Sequence, residues 1–393
     1  MDQANRPYIS VVIVLLIGMA MTATTSADTL TVGTGGAFRT LSAAAAAAKD
    51  GDIIEIEEGE YRGDVAVWTQ DRLTLRGLGA GAHLAAGGEA AEFKATWVIK
   101  GDDVVVDNIE FSGSRVPDRN GAGIRLEGTN LTIRNSRFHD NENGVLTGAG
   151  EGFVRIEFST FSYNGSGTGQ SHNLYVGSID ELVIRGSYFH HANVGHNIKS
   201  RARTTRLLYN RIMDYDDGRS SYLVDLPDGG NGLLVGNVLQ QGPATDNSAL
   251  ISYGAESPDS AYGALVLINN TLVNDRHAGT FVKVATPYAG IHLQNNILLG
   301  KGEITNRPYR SVANYVDESG VSWFGRANLF VDRRGFDYRL IEDADAIDMG
   351  IDPGKSATGE DRRPLLEYRH PTKMIERQTI GALDAGAFEF TAQ

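Results

Sequence analysis

Short apolar runs recur through the middle of the chain, and each follows one pattern of apolar and polar positions. An aliphatic residue is followed by a spacer, a third position that is often Asn, two further residues and an apolar residue. The pattern occurs at Val106–Phe111, Ile133–Phe138, Ile156–Phe161, Ile184–Phe189, Leu208–Met213, Val235–Asn237, Ile268–Val273 and Leu293–Leu298. Successive third positions are 27, 23, 28, 24, 27, 33 and 25 residues apart. Because the steps vary while the pattern stays the same, we expect loops of variable length between regularly repeated strands.

A repeat of about 25 residues with two or three short strands predicts an all-β fold, a single-stranded right-handed parallel β-helix. A β-propeller is the alternative, but its blades are about 40 residues long. The chain has 393 residues, 47 of them Gly, and few amphipathic helical stretches, which favours one elongated domain. The recurring Asn residues are expected at turns, where they can stack into hydrogen-bonded ladders.

The two ends of the repeat array differ from its middle. Ala43–Ala48 follows Thr40 and Ser42, either of which can cap a helix, and precedes Asp50 and Gly51. We expect a short helix that covers the open end of the array, within an N-terminal cap at 28–65. Beyond Gly300 the rhythm fades, so residues 300–393 are expected to form a loop-rich closing segment of the same domain, 28–393.

The N-terminus has the three regions of a secretory signal: Arg6, an apolar run from Val11 to Met21, and small residues before Asp28. The apolar run is too short for a comfortable membrane span, so we expect a signal peptide at 1–27 and a periplasmic or secreted protein. An uncleaved anchor is the alternative. There is no Cys, which excludes disulfide bonds.

The net charge of −13 disfavours nucleic acid as a partner. It also disfavours a polyanionic substrate, unless a cleft is locally basic. One basic cluster exists, because five cations fall within residues 199–211 of the chain. They are Lys199, Arg201, Arg203, Arg206 and Arg211.

Two near-copies of one phrase, Ser171–Gly177 and Gly195–Arg201, begin with the same His-Asn pair and lie 24 residues apart. On neighbouring rungs they would be roughly 4.8 Å apart. Alternation would then turn Tyr175 and Lys199 outward, opposite to the aliphatic residues of each phrase. Four stacked pairs follow from this register and form the predicted active site: His172 with His196, Asn173 with Asn197, Tyr175 with Lys199, and Gly177 with Arg201.

From Thr31 to Phe390 the chain resembles the pectate-lyase-like superfamily of right-handed parallel β-helix proteins, most of which act on polysaccharides. The resemblance is carried by Gly35-Gly-Ala-Phe-Arg-Thr-Leu41, Asp50-Gly-Asp-Ile53 and Asp384-Ala-Gly-Ala-Phe-Glu389. It implies the fold and an acidic polysaccharide as the partner, with a monomer expected. Several β-helix lyases use Ca²⁺, so Ca²⁺ is the cofactor to consider.

A narrower likeness joins Asn197-Ile-Lys-Ser-Arg201 and Tyr209-Asn-Arg-Ile212 to the alginate lyase and chondroitinase B family. That family uses the lysine of this stretch as its catalytic base, which implies that role for Lys199. It places its acid, an Arg, in an Arg-His-Gly on the next coil. The corresponding region here, Tyr222–Gly230, contains no Arg, so the acid must come from elsewhere.

Elimination across a uronic acid needs donors for the carboxylate, a base for the C5 proton and an acid for the leaving oxygen. The nearby arginines would favour the uncharged amine that Lys199 needs as a base. The expected carboxylate ligands are Asn173, Asn197, Arg201 and Arg203. The expected proton donors are Tyr175, His172 and His196. The other residues expected to line the site are Tyr222, Asp225, the segment Tyr253–Glu256 and Arg125.

Other interpretations of the same residues remain open. In these interpretations Asn173 and Asn197 are ladder residues only, His172 and His196 are structural, and Lys199 is a surface residue without a functional role. The acids at 214, 216, 217, 225 and 228 could serve a glycoside hydrolase or bind Ca²⁺, and His172, His196 and Asp225 could bind zinc. A C5-epimerase or a non-catalytic carbohydrate-binding or surface protein on the same frame are the further alternatives.

Overall fold

The structure is a computed structural model that describes residues 27–256, 263–285, 290–317 and 329–392. The predicted signal peptide lies outside these residues, apart from Ala27. No helix within these ranges is long and apolar enough to cross a membrane.

Three long parallel sheets form the body of the molecule, and each coil of the chain adds one strand to each sheet in turn. Within the described residues they hold 12, 11 and 10 strands and are called the first, second and third sheets. The predicted right-handed parallel β-helix is therefore confirmed. The first sheet contains Thr29–Val32, Ile53–Ile56, Thr74–Gly77, Val105–Asp107, Leu131–Arg134, Phe153–Glu157, Glu181–Arg185, Thr204–Leu208, Asn231–Val235, Ala264–Ile268, Gly290–Gln294 and Arg310–Val312.

In the second and third sheets, too, neighbouring strands come from successive coils of the chain. The second sheet contains Gly59–Arg62, Ala82–Ala85, Ile109–Ser112, Arg137–His139, Thr160–Ser162, Tyr188–His190, Arg211–Met213, Val238–Gln241, Thr271–Asn274, Ile297–Gly300 and Tyr315–Asp317. The third sheet contains Ala66–Trp68, Ala95–Ile99, Ala122–Leu126, Asn143–Thr147, Leu174–Val176, Ile198–Ser200, Val224–Leu226, Ala249–Tyr253, Thr280–Val284 and Glu303–Thr305. Two antiparallel hairpins, Phe330–Asp332 with Asp337–Leu340 and Leu366–Arg369 with Lys373–Glu376, belong to the closing segment.

The predicted capping helix is present at Leu41–Ala47. Thr40 is its N-cap, and the Thr40 hydroxyl accepts the backbone N–H of Ala43. Leu41, Ala44 and Ala45 face the core, so the helix covers the apolar interior of the first coils, as expected for a cap.

The interior is filled by side chains that repeat from rung to rung. Four phenylalanines of the second sheet stack with centroid separations of 4.6–4.8 Å, which is the spacing of the strands themselves. They are Phe111, Phe138, Phe161 and Phe189. The last position of the sequence pattern is therefore an inward-facing core position, and stacking fixes the register of successive coils.

The turn between the first and second sheets explains the Asn-rich third position. From Asn135 onward, each described turn has a residue with positive φ followed by a ladder residue whose side chain accepts a backbone N–H of the coil before. Asn108 and Asn135 have positive φ, whereas Asn210 and Asn237 are ladder residues, one position later. The third position therefore does not keep a single structural role, because Ser or Asn can fill the ladder and Asn or Gly the left-handed position.

The closing segment lies on the outer faces of two of the sheets. Phe330 and Tyr338 pack with Tyr188 and Met213 on the second sheet. Leu366 and Met374 pack against the apolar outer residues of the first sheet. The predicted active-site phrases lie on the third sheet.

Candidate active site

One row of outward-facing side chains runs across the rungs of the third sheet. Parallel pairing sets Tyr175 beside Lys199, Lys199 beside Asp225, and Asp225 beside Ser252. In the other direction the row continues through Leu146 to Arg125. Leu174 and Val176 face the core, so the predicted alternation and the predicted stacking of Tyr175 on Lys199 are confirmed.

Lys199 lies between two carboxylates. Its Nζ is 3.3 Å from Asp225 Oδ2 and is hydrogen-bonded to Glu256 Oε1, and only 9% of its side chain is exposed. Burial raises the pKa of Asp225, and the Lys199 ammonium opposes that shift. The charged neighbours of the amine are thus acidic, not the arginines expected from the sequence.

Arg201 links this row to two loops that carry the acidic residues Asp228 and Glu256. Its Nε donates to the Tyr175 hydroxyl at 3.0 Å, its Nη1 lies 2.5 Å from Asp228 Oδ1, and its Nη2 pairs with Glu256. The Glu256 carboxylate therefore bridges the two cations, Lys199 and Arg201. Asp228 and Glu256 each follow a third-sheet strand by two or three residues, so the loops after these strands complete the cluster.

The other cations of the basic cluster point elsewhere. Arg203 is 70% exposed at its side chain and pairs with Asp180 at 3.5 Å, so it is not in the cluster around Lys199. Arg206 pairs with Glu181 on the first sheet, and Arg211 donates to the Phe336 carbonyl over the second sheet. These residues are close together in the sequence, but the segment that contains them wraps around one coil of the β-helix. Their side chains therefore lie on three different faces of the molecule.

His172 and His196 stack with a centroid separation of 4.7 Å, as predicted. Each ring accepts a backbone N–H at Nδ1: that of His196 at 3.0 Å and that of Tyr222 at 3.2 Å, respectively. A neutral ring in this arrangement carries its proton on Nε2. Burial lowers the pKa of His196 to about 3 and that of His172 well below its usual value.

Both imidazoles are therefore uncharged at neutral pH, which leaves them as weak candidates for the proton donor. The His196 Nε2 lies 3.4 Å from Asp225 Oδ2 and orients that carboxylate toward Lys199. Tyr222 stacks on His196 at 5.1 Å and stays at the edge of the cluster, half-buried, and burial raises its pKa. Tyr175 is the predicted donor whose side chain is partly exposed on the outward row.

Asn173 and Asn197 do not reach the outer face. Both are fully buried in a second ladder, in which the Asn173 amide donates to Asn197 Oδ1 at 2.7 Å. The ladder continues to Asp214, whose carboxylate accepts from Asn197 and from Ser220. This corrects the expectation that the two asparagines hold substrate, because their hydrogen bonds are used inside the coil.

The structure also corrects the expectation that Tyr253 lines the site. It is fully buried in the main core, and its hydroxyl donates to the Gly230 carbonyl at 2.7 Å. Ile251 shares its face of the strand, so alternation from Ile251 was the signal that places Tyr253 inside. Glu256, three residues later, is the member of that segment that contacts the cluster.

An open groove of about 440 Å³ lies along the third sheet and reaches Tyr175, the neighbour of Lys199, although Lys199 itself does not line it. It is lined by Arg125, Tyr175, His172 and Arg201, among others. Arg125 makes no hydrogen bond and no ion pair with any described residue, and its buried Nε has no partner. A guanidinium with free donors in a groove is a ready ligand for a carboxylate.

The acidic residues considered for hydrolysis or for Ca²⁺ do not gather in this groove. Asp214 is enclosed in the ladder, and Asp217 is exposed and pairs with His191. Within the described part of the chain, His172, His196 and Asp225 do not form a group at metal-ligand distances.

Comparisons with known proteins agree with this architecture. The family described as "Right handed beta helix region" matches residues 122–302. The crystal structure of pectate lyase Pel9A superposes with a TM-score of 0.61 over 94% of this chain and 97% of that chain, at 15% identity. An alginate lyase from Paenibacillus sp. str. FPU-7 gives a TM-score of 0.45 over 74% of this chain and 99% of that chain, at 16% identity. A search of curated proteins found no match.

The family match and the superposition on pectate lyase Pel9A show the fold. The protein is a right-handed parallel β-helix, the fold that the sequence resemblance implied.

Proposed function

We propose that this protein is an exported polysaccharide lyase that cleaves an acidic, uronate-containing polysaccharide by β-elimination. The observation that carries the proposal is the row on the third sheet, where a phenol and an unpaired guanidinium line one open groove and the Lys199 amine lies on the rung next to the phenol. These are the three groups that elimination needs. The pectate lyase with the same fold acts on such a polymer by its name.

The carboxylate of the sugar is assigned to the two arginines that line the groove. Arg125 has free donors, and Arg201 already holds a carboxylate, that of Glu256. Neutralising the substrate carboxylate stabilises the charge that develops next to C5 when the proton leaves. Glu256 marks where an anion fits, because it bridges Lys199 and Arg201 and is 45% exposed at its side chain.

Lys199 is assigned as the base and Tyr175 as the acid. After the Lys199 ammonium has released its proton to solvent, the uncharged amine takes the C5 proton, the electron pair of the C5–H bond forms the C4–C5 double bond, and the C4–O4 bond breaks. The Tyr175 hydroxyl gives its proton to the leaving oxygen, and the adjacent Arg201 guanidinium stabilises the phenolate that remains. Asp225 and His196 position the amine and do not touch the substrate.

The test is growth of ultraviolet absorbance on a panel of polyuronates and glycosaminoglycans, because elimination leaves an unsaturated uronate. Lys199→Ala should abolish the signal, with a loss of at least about 10³-fold in kcat for a general base. Lys283→Ala is the matched control, since Lys283 lies in the same outward row beside Ser252.

The control variant should keep full activity. A flat trace with the wild-type protein on every substrate overturns the proposal. Exchange of the C5 proton with solvent in that case would indicate the epimerase, new reducing ends the hydrolase, and binding alone the non-catalytic protein.

A further inference from the structure

A second cluster of chemically active side chains lies on the second sheet, away from the groove. His83, Glu110 and His139 come from three successive coils, on the strands Ala82–Ala85, Ile109–Ser112 and Arg137–His139. They lie in an N-terminal part of the sheet, whereas the closing segment packs on later rungs from Tyr188 onward. All three side chains are partly exposed, at 32%, 28% and 21%.

The three side chains converge on one point. His139 Nε2 is 2.8 Å from Glu110 Oε1, His83 Nε2 is 3.9 Å from the same oxygen, and all three ligand atoms lie within 4.8 Å of one another. Strands two rungs apart are roughly 9.6 Å apart. The two imidazole rings nevertheless approach to 5.9 Å between centroids, so the side chains lean toward each other.

Neighbouring groups fix the orientation of the ligand atoms. His139 Nδ1 lies 2.7 Å from Asp140 Oδ2, which leaves Nε2 directed at the cluster. Glu110 Oε2 is held by Arg137 at 3.4 Å, which leaves Oε1 directed at the same point. A carboxylate behind a ligating histidine is the usual second layer of a protein metal site, where it sets the tautomer and the ring orientation.

We propose that His83, Glu110 and His139 bind a divalent transition-metal ion such as Zn²⁺. Two imidazole nitrogens and one carboxylate oxygen suit Zn²⁺, Co²⁺ or Ni²⁺, whereas Ca²⁺ takes oxygen ligands. Ligands at 2.0–2.2 Å in a tetrahedron are about 3.3 Å apart, so the separations of 2.8 and 3.9 Å from Glu110 Oε1 need only small side-chain rotations. His83 Nε2 would exchange its 2.7 Å hydrogen bond with Ser112 Oγ for the bond to the ion. The remaining position is open to water because the side chains reach solvent.

The ion would join three consecutive coils near the N-terminal end of the β-helix. A ligand that binds the folded chain and not the unfolded chain raises the melting temperature, and the rise grows with the logarithm of the free ligand concentration above Kd. The site faces away from the proposed substrate groove, so this role is independent of the lyase proposal and stands or falls separately.

The experiment uses the protein without an affinity tag. Calorimetric titration with Zn²⁺ should give one site per chain, Co²⁺ should give the visible absorbance of a bound ion, and Zn²⁺ should raise the melting temperature reversibly on addition of EDTA. The variant His83→Ala/His139→Ala should lose the site, with affinity reduced at least about 100-fold, and Asp140→Asn should weaken it about tenfold.

His277→Ala is the matched control, because His277 is exposed and outside the cluster. It should bind Zn²⁺ as the wild type does. Glu110→Gln removes the anionic ligand and retains the shape, so it should bind the ion at least about tenfold more weakly while folding normally, as judged by circular dichroism. Absence of Zn²⁺ binding by the wild type, or unchanged binding by the double-histidine and Glu110→Gln variants, overturns the proposal.

Discussion

The Lys199 amine lies 3.3 Å from the carboxylate of Asp225 on the adjacent rung, and both side chains are buried to more than 90%. Asp225 is oriented from its other side by His196, which is neutral at physiological pH. The base that the proposed mechanism requires is thus held by a buried acid, which is itself positioned by a neutral histidine.

Replacing Asp225 by Asn should lower kcat about 10–100-fold, because the amine loses the partner that positions it. Initial rates at saturating substrate for Asp225→Asn, beside the exposed control Asp246→Asn, measure the change. An unchanged kcat for Asp225→Asn would show that Asp225 does not position the amine.

Replacing Glu256 by Gln should lower KM, because the wild-type carboxylate occupies the two cations that the substrate carboxylate needs. A gain of about three- to tenfold in affinity corresponds to about 1 kcal/mol, the scale of a partly exposed ion pair. Initial rates over a range of substrate concentrations give KM. Glu303→Gln, an exposed change further along the third sheet, should leave KM as it is. A higher KM for Glu256→Gln would mean that Glu256 contacts the substrate instead of competing with it.

Arg125→Ala should raise KM about tenfold or more while leaving the melting temperature unchanged. Arg125 has no partner among the described residues, so its removal breaks no internal hydrogen bond, whereas a charge-assisted bond to a carboxylate is lost. Kinetics and thermal melting on the same preparation separate the two effects. The exposed Arg119→Ala should change neither. A fall in stability with KM unaffected would place Arg125 outside the binding site.

Asp214 should make stability depend on pH. Burial in the asparagine ladder raises its pKa to about 7, from 3.8 in the unfolded chain. The contribution of this group is fully present below the unfolded pKa and is lost as pH rises through the folded pKa, so wild type is penalised near pH 7 and above. Asp214→Asn should therefore be more stable than wild type at pH 8, on the order of 4 kcal/mol, and nearly equal to it at pH 4.

The measurement for Asp214 is the difference in unfolding free energy between variant and wild type at several pH values. Taking the difference is necessary because the buried His172 and His196 have lowered pKa values and act in the opposite sense, destabilising the fold as pH falls below about 6.5. A difference that does not change between pH 4 and pH 8 would show that Asp214 is ionised in the folded protein.

The sequence by itself determined the coil repeat, the capping helix at Leu41–Ala47, and the outward pair Tyr175 and Lys199. These features depend on local periodicity, since a strand alternates its faces and apolar side chains must enter the core. The histidine stack followed from the same repetition. The buried asparagines were misplaced because a residue at a turn does not obey the alternation of the strand beside it. Tyr253, by contrast, obeys the alternation of its strand and shares the inner face of Ile251.

Only the tertiary structure decided which side chains meet across coils. Glu256 and Asp228 reach Lys199 and Arg201 from loops on later coils, and His83 meets His139 across 56 residues of chain. The loops between strands differ in length, so sequence distance does not give spatial distance. The stacking of the coils sets that distance, because the inner phenylalanine rings and asparagine ladders lock the register of every rung.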